Sequence, residues 1–329
     1  MSAEAGAPRS ASIPVIVCAK NEERTLAVTI DALRAARTFA EERGPHRYAI
    51  RIVLDDTTDG SAAIVRRYRD VELRESHGGK VEAQRTGLAA ARQAPLATFA
   101  IFCDADVRPS VDALHALASM LEQRPEVHVA TCPLMPLPPR RRTPLAAALH
   151  TYNARRGFSS SRTWFNGKLF AIRAWDVPTL DRLAERAARL PDDPFYELAA
   201  GITIDDIYLS RMTVLAHGAR AIAETERGVV LYRAPETLRG MNRYYRRMRR
   251  ELERLDLLFP ETVAVHRRHG RRAPDLLASA PRRERVQYAL FSAALLACRG
   301  AYVAERAWVR HVRRAPRPSW PPIAETKAW

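Results

Sequence analysis

The chain has 329 residues, 47% apolar and 27% charged, which excludes general disorder and leaves length for about two domains. Basic residues outnumber acidic ones 53 to 37, a formal net charge of +16, and only Lys20, Lys80, Lys168 and Lys327 among them are lysine. The four cysteines, Cys18, Cys103, Cys132 and Cys298, are far apart and form no Cys-x-x-Cys, which argues against a zinc site or a disulfide framework and fits reduced, buried thiols in the cytoplasm.

Residues 1–12 read as a polar tail without the apolar core of a signal peptide. Residues 13–19 then form an apolar run fit for a buried strand, and Leu26, Ile30, Leu33 and Ala36 repeat at helical spacing. The alternation continues with a strand over 48–54, a short helix over 61–68, a strand over 71–74 and a helix over 81–92. A very apolar strand over 97–103 follows, then a helix marked by Val111, Leu114, Leu117 and Leu121, then a strand over 127–132. Repeated strand–helix units predict a mainly parallel sheet covered on both faces, with ligands outside the C-terminal strand ends. Residues 133–144 (PLMPLPPRRRTP) read as a loop. Beyond them the pattern predicts helices over 144–156, 176–190, 205–217, 235–257 and 286–312, and strands over 168–173 and 229–232. No run reaches the roughly 18 apolar residues of a membrane span; the nearest, 288–298, ends at Arg299.

The acidic residues fall at strand ends. The first strand runs into Lys20-Asn21-Glu22-Glu23, the second into Asp55-Asp56-Thr57-Thr58-Asp59-Gly60-Ser61, and the strand over 97–103 into Asp104-Ala105-Asp106. Taken singly, each cluster suits a strand end and the cap of the next helix. Three at one edge of a parallel sheet, with Gly78-Gly79-Lys80 opening a further helix, need positive charge between them. A divalent cation with a phosphate ligand supplies it, because such ions take hard oxygen donors from one or two carboxylates, phosphate and water.

At these residues the sequence resembles the family 2 glycosyltransferases, from about residue 13 to about residue 250. IPVIVCAKNEERTLAVTIDAL resembles their opening strand, Asn-Glu turn and helix, and VLDDTTDGSAAIV their Asp-rich second segment. GGKVEAQRTGLAAAR resembles the Gly-Lys helix, IFCDADVRP the Asp-x-Asp strand end, WFNGKLFAIR the acceptor-side Gly turn and TIDDIYLSRM the acidic helix start. The resemblance implies an α/β GT-A fold that binds nucleotide-diphospho-sugars. It divides the chain into the tail 1–12, a catalytic domain 13–234 (nucleotide-binding half 13–132, acceptor half 133–234) and a basic, mostly helical region 235–329.

It also implies roles. Ala19, Asn21 and Glu22 lie beside the uridine, Asp55 or Asp56 bonds the uracil or ribose, Lys80 reaches the nucleotide or its phosphates, and Asp104 contacts the ribose or donor sugar. Asp106, with Asp104, binds Mg2+ or Mn2+, and Asp206 of the Asp205-Asp206 pair is the base of an inverting transfer. Polymerising members carry Gln-x-x-Arg-Trp where this chain has Tyr244, Arg247 and Met248; only Arg247 fits, which speaks for transfer of one sugar rather than processive extension. Arg85 replaces the usual Asn of the Gly-Lys helix. The expected donor is a UDP-sugar, and the acceptor is a glycan, a lipid carrier or a small molecule.

From residue 235 onward there are 21 basic and 9 acidic residues. Basic flanks around residues 288–298 suit a helix lying on an anionic membrane surface, on the inner face of the cell membrane. They suit equally a helix packed on the catalytic domain or on a second subunit. No helix-turn-helix, zinc finger or aromatic-interleaved RNA motif supports a specific nucleic-acid partner. Two rival readings remain: a catalytically silent module that binds membrane or protein through its basic end, and, below it, a sugar nucleotidyltransferase, which needs a Gly-rich basic loop where Ala19-Lys20-Asn21-Glu22 stand.

Overall fold

The computed structural model describes residues 12–89, 98–157, 164–189, 202–265, 281–313 and 326–327. The elements in order are β1 (Ser12–Ala19), α1 (Leu26–Arg43), β2 (Arg47–Asp55), α2 (Ser61–Val65), β3 (Glu72–Ser76) and α3 (Lys80–Ala89). Next come β4 (Ala100–Asp104), β5 (Val107–Pro109), α4 (Ala113–Gln123), β6 (Val129–Thr131), β7 (Leu134–Pro136), α5 (Pro144–Gly157) and β8 (Leu169–Ile172). The chain continues with α6 (Leu180–Ala187), α7 (Asp205–His217), β9 (Ile222–Glu224), β10 (Val230–Tyr232), α8 (Leu238–Leu258) and α9 (Arg282–Trp308). Residues 1–11 of the expected tail 1–12, most of the basic stretch before α9 and the end of the α3 segment lie outside the described residues, and Ser12 already belongs to β1.

Seven strands form one sheet in the order β3-β2-β1-β4-β8-β6-β9. Its interior is buried on both faces, which is why β1 reads as an apolar run and β2 as one broken only by Arg51, whose guanidinium lies 2.6 Å from Glu72 of β3. Val15 and Val17 enter one core cluster with Ile30, Leu33, Leu114 and Leu117 of α1 and α4. Ile16, between them, enters the other with Val81, Phe102, Phe170 and Leu209. On that second face α3 comes so close that a Cβ on Gly87 would sit 2.5 Å from Ile16 Cγ2.

One strand runs backwards. β1 pairs in parallel with β2 and β4, and β6 with β9, but β8 is antiparallel to both β4 and β6, with Cys103 opposite Leu169. A reversed strand brings its beginning to the edge where its neighbours end. Gly167 and Lys168, just before β8, therefore meet Asp104 at the end of β4, and the Asp104 amide donates to the Lys168 carbonyl at 2.8 Å.

A second sheet, β5-β10-β7, has β10 antiparallel to β5 and parallel to β7. It corrects the expectation of a loop over 133–144: Leu134–Pro136 are paired there, because each of these very short strands borrows its partner from a distant part of the chain.

The described residues after β10 are mostly helical, as expected. Helix α9 packs Phe291, Ala294 and Cys298 against Ala148 and Leu149 of α5 and Met241 of α8. Arg246 of α8 pairs with Glu305 of α9, Arg306 of α9 lies 3.0 Å from Glu253 of α8, and the Tyr302 hydroxyl donates to Glu253 at 3.1 Å. The opposite face exposes Val286, Leu296, Val303 and Trp308. Residues Glu284–His311, 28 in all, make a helix long and apolar enough to cross a membrane by length and composition, where residue runs alone suggested none. Arg299 makes the difference: it ends the unbroken run at residue 298, yet Gly300, Ala301, Tyr302, Val303 and Ala304 continue the apolar composition beyond it.

Candidate active site

The C-terminal edge of the seven-stranded sheet carries the acids. Their positions are fixed by backbone turns. Asn21 and Asp56, in the turns after β1 and β2, are the only non-glycine residues among those described with φ in the left-handed region, at 55° and 44°. The Asn21 side chain is spent on the scaffold: its Oδ1 accepts the Thr58 amide at 2.8 Å and the Thr58 hydroxyl at 3.3 Å, tying the two turns together. Ala19 likewise accepts the Thr57 hydroxyl on its carbonyl at 3.3 Å. The Asp104–Asp106 turn is pinned from below by the buried Thr29 hydroxyl of α1, which lies 2.6 Å from the Val107 carbonyl oxygen and 3.0 Å from that of Ala105.

The cations are the unexpected part. All four lysines of the chain pair with carboxylates at this edge. Lys20 lies 3.7 Å from Asp55 and 3.5 Å from Asp56. Lys80, at the start of α3, is 3.0 Å from Asp104 and 2.9 Å from Asp205. Lys168 sits 3.8 Å from both Asp104 and Asp106, with its ammonium 5.0 Å from the centre of the Tyr232 ring. Lys327 pairs with Glu22 and lies 3.0 Å from Asp106. Arginine dominates every other basic position.

Each acid takes its character from these neighbours. Burial pushes the Asp106 carboxyl up, but Lys168 and Lys327 outweigh it, and Arg247 of α8 adds to them, so the group stays far below the usual carboxylate range. Lys80 is penalised by burial, yet Asp104, Asp205 and Asp206 hold its pKa well above that of a free lysine. Glu22 moves the other way: burial lifts it despite Lys327 and the Thr25 hydroxyl, which donates to Oε2 at 2.8 Å.

Asp205 and Asp206 open α7 and differ sharply. Asp205 has 1% side-chain exposure, and its two oxygens are taken by Lys80 and by the Gln84 amide at 2.6 Å. It is a holding group for Lys80 rather than one open to substrate. Asp206 is gripped by the Gly167 amide, which donates to Oδ2 at 3.0 Å, and by its neighbour's amide from Ile207 at 2.9 Å. Burial, and then the Asp205 charge, raise its carboxyl to about 6 against the opposing pull of Lys80 and the Gly167 amide. A Cβ on Gly167 would stand 3.0 Å from Asp206 Cβ, so only glycine lets the turn before β8 close on this carboxylate.

Among the residues singled out from sequence, Glu22, Lys80, Asp104, Asp106, Asp205 and Asp206 are joined through shared lysines or direct influence, with Arg247 near Asp106. Asp55 is buried at the end of β2 and accepts the Gly79 amide at 3.0 Å. Asp56 turns outward, where His77 approaches it at 2.6 Å; that contact lowers its carboxyl and raises the imidazole. No described contact links Asp56 to Asp106. Sequence reasoning missed Lys168, Lys327 and Gln84 and named the Gly167 turn without giving it a partner; the scarcity of lysine, read for Lys80 alone, pointed to the first two as well.

Among the described residues no group of three or more His, Cys, Asp or Glu side chains is arranged to hold a metal ion by itself. Asp104 and Asp106 nonetheless offer hard oxygen donors, and their surroundings already accept cations, since ammonium groups sit at both oxygens of Asp106. That fits an ion which takes one or two protein carboxylates and completes its shell with phosphate and water.

Residues 15–174 match the model of glycosyl transferase family 2. No curated protein matches the chain. Among solved structures it is similar to a mannosyltransferase from Pyrobaculum calidifontis in complex with GDP-Man and Mn2+, at 20% identity over 92% of this chain and 82% of that one, with a TM-score of 0.47. It is similar also to glucosyl-3-phosphoglycerate synthase from Mycobacterium tuberculosis in complex with Mg2+ and UDP, at 17% identity over 76% of this chain and 78% of that one, with a TM-score of 0.45. The family match identifies residues 15–174 as a glycosyl transferase family 2 domain, and with the order of the motifs and the mixed sheet with its acidic C-terminal edge it makes the chain an enzyme with the GT-A fold.

Proposed function

We propose that the enzyme moves a single sugar, with inversion, from a UDP-linked donor to the hydroxyl of a glycan, lipid carrier or small-molecule acceptor. Asp206 takes the acceptor proton as the acceptor oxygen bonds to the anomeric carbon. The bond from that carbon to the diphosphate oxygen breaks on the opposite face, and its electron pair leaves with the nucleotide. Lys80 and Lys168 face the departing charge, Arg247 supports them from α8, and Asp205 with Gln84 holds Lys80 in place. Mg2+ or Mn2+ held by Asp106 with Asp104 would act as a Lewis acid on the diphosphate when bound.

One observation carries this reading: a carboxylate raised to about 6, gripped by a glycine amide, beside the Lys80–Asp104 pair. A base near the working pH is both deprotonated and strong enough to take a proton. The test is Asp206→Asn, assayed with a panel of nucleotide sugars by released nucleotide. Retained donor binding with transfer reduced by at least 100-fold is expected; transfer within threefold of wild type refutes the base. The silent-module alternative predicts no nucleotide binding under any metal condition.

For the basic end, we propose that the exposed face of α9 lies on an anionic membrane surface at the cytoplasmic side. Val286, Leu296, Val303 and Trp308 form its apolar side, with Arg282, Arg285 and Arg310 near its ends. Flotation with vesicles containing anionic lipid should be lost in a Leu296→Glu, Val303→Glu double variant. Unchanged flotation refutes it. A wild-type dimer that becomes a monomer in the variant assigns the face to a second subunit instead.

A further inference from the structure

Lys327 plays no part in the transfer just proposed, yet it occupies the middle of the site. Its ammonium is paired with Glu22, from the turn after β1, and lies 3.0 Å from Asp106 Oδ2, from the turn after β4. Lys168 takes the other oxygen of Asp106 at 3.8 Å. Glu22 in turn has Thr25 on one oxygen and Lys327 on the other. The residue thus bridges two carboxylates that are brought together by the sheet but have no direct reason to approach each other.

A carboxylate oxygen that accepts an ammonium cannot also ligate a dication from the same side, because the two positive charges would stand within a few ångströms in a poorly solvated cleft. We propose that Lys327 is a tethered occupant of the cation seat: it neutralises Glu22 and Asp106 while the donor site is empty, and a divalent cation arriving with a nucleotide diphosphate displaces it. The inference rests on the reading of Asp106 as a cation ligand. Burial works against the charge of Lys327, but Asp106 and Glu22 raise its pKa, so the seat is emptied by competition and not by loss of a proton. Lys168 and Arg247 face the same carboxylate and stay in place, one on the turn before β8 and one on α8.

The competition has a measurable size. A ligand that binds only a fraction of the molecules has its apparent affinity reduced by that fraction, so a seat filled 90–99% of the time weakens cation binding by about 10- to 100-fold. The experiment uses the full chain without donor and follows Mn2+ binding by the electron paramagnetic resonance of the free ion. Lys327→Ala should bind Mn2+ about 10-fold more tightly than wild type, and Lys327→Arg, which restores the charge, should return to within threefold of it. Equal or weaker binding in Lys327→Ala, with Asp106→Ala abolishing binding in both backgrounds, overturns the displacement and leaves the cation reading intact. Absence of Mn2+ binding at millimolar concentration in wild type and Lys327→Ala alike, with UDP added as well as without it, overturns both.

A second readout needs no variant. The chain has only four ε-amino groups, so light acetylation read by mass spectrometry resolves each one. Addition of Mn2+ with UDP should raise labelling of Lys327 several-fold. Labelling that stays level or falls means that Lys327 remains over the nucleotide, and overturns the proposal.

Discussion

Replacing Gly167 by alanine tests the grip on Asp206, the proposed base, most directly. The new methyl would stand 3.0 Å from Asp206 Cβ, 3.2 Å from Cγ and 3.3 Å from Oδ2, where ordinary contacts begin at 3.4 Å. Asp206 starts α7 and cannot retreat without moving the helix, so its carboxylate must swing away and the 3.0 Å bond from the Gly167 amide is lost or stretched. The backbone at Gly167 is not left-handed, so the cost is steric and local. A hydrogen bond to a charged group is worth about 1.5–3 kcal/mol, and a displacement near 1 Å at a catalytic group costs about 100-fold in rate. The expected result is a kcat reduced by about 10- to 100-fold with donor KM within threefold of wild type. Because the lost amide had been lowering the Asp206 pKa, the acidic limb of the kcat profile should also move to higher pH. Released nucleotide measured from pH 5 to pH 9 checks both. A kcat within threefold and an unmoved limb would show that this glycine does not position the base.

In the wild type, kcat should rise with pH through about 6, as Asp206, faced by Asp205, Lys80 and Asp104, loses its proton; a flat profile from pH 5 to pH 8 refutes the assignment. The same group makes a stability prediction. Its folded pKa is raised from 3.8 to about 6, so above pH 6 the folded state carries an ionised carboxylate it disfavours, and below pH 4 the penalty is gone. Asp206→Asn should therefore stabilise the donor-free protein by on the order of 2 kcal/mol at pH 8, with no gain near pH 4, measured by denaturant titration. Thr29→Val removes the hydroxyl that pins the Asp104–Asp106 turn and leaves two carbonyls short of a donor. It should cost about 1–2 kcal/mol and weaken Mn2+ binding, whereas a variant as stable as wild type would remove Thr29 from the account. Gly87→Ala forces α3 off β1 and should destabilise by about 1–3 kcal/mol; a neutral result in the same titration would mean that the helix shifts freely.

Much of the donor half was legible because its signals are local. A strand buried on both faces has to be mainly apolar, and β1, β2 and β4 are, with the ion-paired Arg51 the exception in β2, so their ends and the acids beyond them were placed from the sequence. The direction of β8 was not legible. An apolar four-residue strand reads the same in either sense, and only the pairing of Leu169 with Cys103 reveals that Gly167 and Lys168 belong to the catalytic edge. Of the second sheet only β10 was found, within the expected strand 229–232; β5 and β7, three residues each and one of them among prolines, carry no period of their own. The two acids of α7 were found as a pair, but their division of labour depends on Gln84, 121 residues earlier in the chain. For α9, sequence left membrane, domain and second subunit open; one face is now accounted for by α5 and α8.

The ion pairs between α8 and α9 constrain how the C-terminal region can be studied. Glu305 faces both Arg246 and Arg250, and Arg250 has 7% side-chain exposure. A chain shortened before Arg282 would strand these guanidinium groups in a half-opened interface, and breaking a buried pair by removing one partner costs about 3–5 kcal/mol. Loss of vesicle binding or of turnover after such a truncation would register an unravelled helix α8, the element that carries Arg247, and would be indistinguishable from loss of an anchor. Acidic substitution of Leu296 and Val303 on the outward face leaves that clasp closed, and so separates what the helix holds from what it touches.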